Sequence, residues 1–210
     1  MTWARLGVLL LLVGACGHRA RPPAGDILVD IRRLDASIDV DIRYATTANF
    51  TGVAVYPAAR CLLRRPVAER LVRVARRLEH EGLRLRVWDC YRPFSVQQRF
   101  WALVPDARYV AEPVVRDGRP VAGSKHNRGA AVDVTLADAA GTPLEMPSAF
   151  DNFSERAHRD YAGASPTARR NVARLEAAMA AEGFTPLPTE WWHFDGPGWE
   201  RYELLDVPLE

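Results

Sequence analysis

Ser124-Lys125-His126-Asn127-Arg128-Gly129-Ala130-Ala131-Val132-Asp133-Val134-Thr135-Leu136 is the stretch around which the chain is organised. From Ala131 onward the residues alternate as in a β-strand, with Ala131, Asp133 and Thr135 on one face and Val132, Val134 and Leu136 on the other. The aliphatic face demands burial, which aims Asp133 at whatever covers the opposite side of the sheet. A carboxylate on a rigid strand needs solvent, a cation or a metal. His126 lies in the turn before the strand, where Gly129 permits the bend. One imidazole nitrogen and one carboxylate oxygen are two thirds of a catalytic zinc site, so a third ligand and a base are to be sought elsewhere.

Glu190-Trp191-Trp192-His193-Phe194-Asp195 supplies both. His193 completes a set of two histidines and one carboxylate, leaving a fourth position for water. Glu190 is the natural base, yet residues three apart on an extended strand point to opposite faces. A turn or bulge at Glu190 resolves the conflict. Trp191 and Trp192 then wall the pocket. A cation is also needed for the charge that develops on a hydrolysed carbonyl, and Arg92 is the candidate, at a strand end beside Pro93. Taken singly, each residue has a plainer reading: a packed core histidine, a strand aspartate in a salt bridge, a structural arginine. The combination carries the case. His18, His80 and His158 are read as non-ligands.

At 210 residues, 48% hydrophobic and 26% charged, the chain suits one well-buried domain and is not disordered. A net charge of +2 speaks against a dedicated nucleic-acid binder. Of its 28 basic residues only Lys125 is lysine, so the arginines reflect composition more than a basic surface.

The N-terminus reads as an export signal: Arg5, an apolar run from Leu6 to Val13 too short to span a bilayer, then Gly14-Ala15-Cys16. Small residues before a cysteine resemble a bacterial lipobox, which predicts a signal peptide over 1–16 and lipidation at Cys16. Simple secretory cleavage nearby is the plainer alternative. Residues 17–26 then form a tether, and 27–210 the folded domain. Cys61 and Cys90 can pair in an oxidising periplasm or remain two free buried thiols; the sequence leaves both open.

Along the mature chain, Asp39 to Tyr44 reads as a half-exposed strand and 45–52 as a loop. Pro66 opens a helix with Val67, Leu71, Val74 and Leu78 as its stripe, stopped by Gly82. A strand follows from Leu83 to Trp88, then a short helix from Ser95 to Val104 and a loop over 105–123. Beyond the central strand, 137–165 is expected to be a long loop over the site. Ser165-Pro166 starts a helix that buries Val172, Leu175 and Met179 and ends at Gly183, and 189–195 is the last strand.

Ser-x-His-x-x-Gly-x-Ala-x-Asp (Ser124 to Asp133) with Glu-x-x-His (Glu190 to His193) resembles the zinc D-Ala-D-Ala dipeptidases. Flanking pieces agree: Asp41 to Thr46, Asn49-Phe50-Thr51-Gly52, Arg60 to Leu63, Tyr91-Arg92-Pro93 and Phe150-Asp151-Asn152-Phe153. The resemblance runs from about residue 27 to the C-terminus. It implies an α+β fold, a single compact domain with a central antiparallel sheet flanked by helices. It also implies one Zn2+ per chain on His126, Asp133 and His193, Glu190 as base and Arg92 at the transition state. Asp151 would hold the ammonium of a small dipeptide substrate, with Ser124 lining the pocket. The two zinc motifs are shared with D,D-carboxypeptidases that trim longer peptidoglycan stems, and a non-catalytic wall-binding lipoprotein is the rival of another class. The leader departs from the cytoplasmic resistance enzymes of the family. It suggests cell-wall turnover in the periplasm, with membrane contact only through a lipid anchor.

Overall fold

The computed structural model describes residues 27–210; the predicted signal peptide, the tether and Cys16 lie outside the described residues. Leu28–Asp30 (β1), Asp39–Val40 (β2) and Leu62–Arg64 (β3) precede the first helix, Arg65–His80 (α1). Leu83–Asp89 (β4), Phe94–Leu103 (α2), Val114–Arg116 (β5) and Arg119–Ala122 (β6) follow. The C-terminal half holds Ala131–Asp138 (β7), Pro166–Ala181 (α3), Thr185–Leu187 (β8) and Glu190–Asp195 (β9). The central sheet has the order β2-β4-β7-β9-β8, with β1 and β3 paired apart from it and β5 and β6 forming a hairpin.

The helices begin and end where the sequence places their signals. Pro66 lies in the first turn of α1, which buries Val67, Leu71, Val74 and Leu78, and Gly82 beyond its end has φ 72°. Ser165 caps α3 by accepting from the Ala168 N–H at 3.0 Å, and Gly183 at φ 80° follows that helix. Among the described residues no helix is long and apolar enough to cross a membrane.

Three expectations change. The sheet is mixed, because β2 runs parallel to β4 while every other pairing is antiparallel. The chain between β2 and β4 contains β3 and α1, and such a long crossover can bring the second strand back in the same direction. The strand expected over 39–44 stops after two residues. A 3-10 turn over Arg43–Ala45 then turns the buried Tyr44 toward Asp151. Within the expected loop 105–123 stands the β5–β6 hairpin, turned by Asp117 and Gly118 at φ 50° and 72°. An Asp-Gly pair with both residues at positive φ is the strongest short hairpin signal. The reading of 137–165 holds better: past β7 it has one 3-10 turn, Glu155–Ala157, and no strand.

Two irregularities shape the site end of the sheet. Between Val87 and Asp89 the pairing of β4 with β7 shifts, so that Asp89 stands opposite Asp133. On β9, Glu190 pairs with Leu187 of β8 while Phe194 pairs with Pro186, leaving Trp191, Trp192 and His193 without β8 partners. Bulges re-aim side chains at sheet ends, and this one falls where Glu190 needs it.

Cys61 and Cys90 form a disulfide that closes a separation of 29 residues. Crosslinking a loop of that size stabilises the fold by about 3 kcal/mol through the unfolded chain. Reduction, or the paired Cys61→Ala and Cys90→Ala substitutions, is expected to lower the unfolding free energy by that order. Urea denaturation checks it, and an unchanged midpoint would contradict the pairing.

Candidate metal centre

Asp133 and His193 face each other in register across β7 and β9, so the sheet itself sets their approach. His126 comes from the 3-10 turn Lys125–Arg128 just before β7. Ser124 caps that turn, its side chain accepting from the His126 N–H at 3.2 Å, and Asn127 returns the bond to the Ser124 N–H at 2.8 Å. Gly129 ends the turn at φ 66°, a conformation that favours glycine, and a Cβ there would lie 2.4 Å from Leu28 Cδ2 and displace that side chain.

Three buried ligand atoms converge. His126 Nε2 is 3.1 Å from His193 Nδ1, His193 Nδ1 is 3.0 Å from Asp133 Oδ1, and His126 Nε2 is 3.3 Å from Asp133 Oδ1. Four-coordinate zinc with bonds of about 2.0–2.1 Å sets its ligands about 3.3 Å apart. Among the described residues this is the group of His, Cys, Asp and Glu side chains able to hold a metal ion.

The remaining ring nitrogens decide the tautomers. His126 Nδ1 lies 2.6 Å from the Cys90 carbonyl oxygen, which can only accept, so that nitrogen carries the proton. His193 Nε2 lies 2.9 Å from Asp195 Oδ1 and donates to that carboxylate. Each ring thus commits one nitrogen to an outer acceptor, which leaves His126 Nε2 and His193 Nδ1 as the nitrogens that face the triangle. With both rings neutral, three lone pairs face one another at about hydrogen-bond distance, an arrangement that calls for a cation among them, whether a metal ion or a proton. Burial works against positive charge on His193, yet the Asp133 and Asp195 carboxylates pull its pKa up to about 10, so that in the metal-free site a proton on Nδ1 takes the place a metal cation would hold. The donor set and its tautomers fit a divalent metal.

Glu190 Oε2 lies 3.9 Å from His193 Nδ1, on the same side of the triangle, despite the three-residue separation. Arg92 is buried and fixed: Nε and Nη2 donate to Asp89 Oδ2 at 3.2 and 2.7 Å, and Nη1 donates to Gln97 Oε1 at 2.8 Å. Those bonds use three of its five N–H groups. The Phe100 ring lies 4.8 Å beneath its guanidinium. Asp89 Oδ1 accepts from Tyr56 Oη and the Cys90 N–H, both at 2.9 Å, so this buried carboxylate is fully paired.

A cavity of about 240 Å³ opens over the triangle, with Glu190, Arg92, Ser124 and Asp151 among its lining. Asp151 sits at φ 57°, unusual for a residue with a side chain. Its Oδ1 accepts from Tyr44 Oη at 2.9 Å and its Oδ2 from the Phe50 N–H at 3.2 Å. The Asn-Phe-Thr-Gly piece thus serves to hold Asp151. Phe50, Phe153 and Tyr109 close that end, with Tyr109 stacked on Phe153 at 5.1 Å. Trp192 lines the cavity; Trp191 packs behind it at 5.5 Å between ring centroids and against Trp88 at 5.6 Å.

Every residue predicted for the site except Cys16 is therefore brought to one cavity. Ser124 is there with a second duty, the cap on the turn that carries His126. Asp89, Gln97, Tyr44 and Asp195 were not singled out from sequence. Asp195 had a signal, lying two residues after His193 and so on the same strand face. Asp89 and Gln97 lie three and five residues from Arg92, whereas Tyr44 reaches Asp151 across 107 residues, a contact no spacing announces.

A buried His-Asp-His triangle at one end of an α+β sheet, with a carboxylate beside it and an enclosed cleft above, defines a metal-dependent hydrolase. A family model described as "Peptidase_M15: D-ala-D-ala dipeptidase" matches residues 26–206. The chain belongs to this family of metallopeptidases. It is 37% identical over 178 residues to the D-alanyl-D-alanine dipeptidase of Escherichia coli (strain K12), covering 85% of this chain and 89% of that protein. To the D-alanyl-D-alanine dipeptidase of Enterococcus faecium it is 33% identical over 168 residues, covering 73% and 83%. The protein of the same name from Streptomyces coelicolor (strain ATCC BAA-471 / A3(2) / M145) is 33% identical over 178 residues, covering 78% and 88%.

Burial pushes the Asp151 carboxyl up to about 7, against the lowering effect of the Tyr44 hydroxyl and the Phe50 N–H. A carboxyl raised in the folded state stabilises the fold fully below its unfolded pKa of about 4, and that stability is lost as pH rises through the folded value. Asp151→Asn is therefore expected to gain stability relative to the parent as pH rises from about 5 to about 8, on the order of 2 kcal/mol. Urea denaturation at the two pH values checks this; a difference independent of pH would contradict the buried-acid account.

Proposed function

We propose that this D-Ala-D-Ala dipeptidase works with one zinc ion held by His126, Asp133 and His193, with Glu190 as general base and Arg92 facing the oxyanion. The observation that carries the reading is the convergence of His126 Nε2, His193 Nδ1 and Asp133 Oδ1 on one point, with the outer nitrogen of each ring held by an acceptor. Bound zinc would acidify water and polarise the scissile carbonyl. Glu190, poised beside the triangle, takes the proton of the attacking water and returns it to the nitrogen of the leaving amine. The Arg92 guanidinium needs no reorganisation to meet negative charge on the carbonyl oxygen, because Asp89 and Gln97 already fix it.

Asp151 receives the substrate's free ammonium. A buried carboxylate already holding two donors is completed by a cation and poorly served by the neutral amide that a longer peptide presents there. The aromatic closure of that end by Phe50, Phe153 and Tyr109 works in the same direction, which favours the dipeptidase over a carboxypeptidase acting on peptidoglycan stems. Ser124 has its hydroxyl proton to give to bound substrate while its oxygen caps the His126 turn.

Export to the periplasm, with a lipid on Cys16 and a place in cell-wall peptide turnover, belongs to the same proposal. Its support is the leader sequence and the Cys61–Cys90 disulfide, a bond that persists in oxidising compartments.

Glu190→Gln is expected to keep one zinc per chain and lose about a thousandfold in kcat on D-Ala-D-Ala. Metal analysis beside the dipeptide assay checks it; undiminished turnover would refute the role of Glu190, and cleavage of a pentapeptide stem but not the dipeptide would establish the carboxypeptidase instead. Incorporation of labelled fatty acid in cells is expected to vanish in Cys16→Ser, and label that persists would refute the lipid anchor.

A further inference from the structure

The single lysine of a chain that uses arginine at its other 27 basic positions stands one residue before His126. Lys125 Nζ donates to Asp195 Oδ2 at 2.7 Å, while Asp195 Oδ1 accepts from His193 Nε2 at 2.9 Å. Each carboxylate oxygen of this buried aspartate is thereby committed, one to the ammonium and one to the imidazole. Lys125 Nζ also lies 4.9 Å from the centroid of Trp199, and the Arg128 guanidinium stands 5.6 Å from the same ring. The slot between Asp195 and an indole already shared with a guanidinium suits a compact ammonium on a flexible stem better than a second planar fork.

The charge balance gives the lysine a task. Asp133 and Glu190 bring negative charge to the His193 side of the triangle, and Asp89 is balanced by Arg92. Asp195 adds a further buried carboxylate, and the strand pairing of its backbone with β7 and β8 fixes its Cα but not the rotation of its oxygens. Without a partner at Oδ2 the carboxylate can turn away, and the His193 ring loses what holds its Nε2 proton outward.

Resting on the zinc reading above, we propose that Lys125 is a positioning residue for the metal: it pins Asp195, which pins His193, so that Nδ1 presents its lone pair to the ion. Lys125 borders the same cavity, but its ammonium is spent on Asp195 and Trp199 and on no metal-ligand atom. Its effect is on metal affinity and on kcat, and it leaves substrate affinity alone.

The experiment measures the zinc affinity of the purified full chain by competition with a chromogenic chelator, beside kcat, KM and the urea midpoint of the metal-free protein. Lys125→Met is expected to weaken zinc about tenfold or more, to lower kcat at saturating dipeptide with KM unchanged, and to leave the metal-free midpoint in place. Lys125→Arg, which keeps the charge, should recover part of the affinity. Asp195→Asn should weaken zinc as much alone as combined with Lys125→Met, because the two act as one relay. Should Lys125→Met fail to fold, Lys125→Gln takes its place, with the same expected loss. Wild-type zinc affinity in the Lys125 variants, or losses that add in the double variant, would overturn the proposal. A raised KM with unaltered zinc affinity would also overturn it and assign the ammonium to the substrate's carboxylate. His193→Ala is the control that separates the two claims. If it too binds zinc normally, the metal-site reading has failed; if it alone loses zinc, only the role of Lys125 has.

Discussion

Two imidazole nitrogens and a carboxylate oxygen meet within hydrogen-bond reach, and they can stay together only with a cation among them. The rest of the molecule is arranged around making that meeting unavoidable. Cys90 contributes a carbonyl that takes the outer proton of His126, and Asp195 a carboxylate that takes the outer proton of His193. The sheet contributes the register that sets Asp133 opposite His193. The site is thus built for a dication, and the tautomers of its histidines are consequences of their partners, not free variables.

The same economy governs Asp89 and Arg92. A fully buried aspartate and a nearly buried arginine would each be costly alone. Together with Tyr56, Gln97 and the Cys90 N–H they form a closed set in which no charge lacks a partner. The shift in β4 at Trp88 turns Asp89 into that set, and Cys90 immediately after it joins the disulfide and orients His126. Structural and chemical roles coincide on two consecutive residues, Asp89 and Cys90. Asp151 shows the opposite bargain: its raised pKa marks a group kept in a place that suits an incoming cation better than it suits the empty fold.

Much of this was readable in the sequence, for identifiable reasons. His126 and Asp133 lie in one turn-strand unit, and Glu190 and His193 in one short segment, so each pair shares local structure. The ends of α1 and α3 were legible because proline and glycine punctuate them. What escaped depends on the third dimension. Nothing local says that Asp39-Val40 pairs in parallel with β4, or that Asp41 to Tyr44 leaves the strand to let Tyr44 reach Asp151. The pairing of Cys61 with Cys90 was undecidable because it rests on a Cα separation of 5.1 Å, a tertiary quantity. The β5–β6 hairpin is a different kind of miss, since Asp117-Gly118 between short apolar runs carried the signal.

The indoles of Trp88, Trp191 and Trp192 form a connected aromatic wall, and Phe150 packs on the first and last of them at 5.1 and 5.5 Å. Trp192 borders the cleft, and Trp191 anchors its Nε1–H on Ser148 of the covering loop at 3.0 Å. Rings at such spacings and steep mutual angles couple their electronic transitions. Near-ultraviolet optical activity that arises from this wall depends on the three indoles staying packed, so it gauges whether the rear of the chamber is assembled.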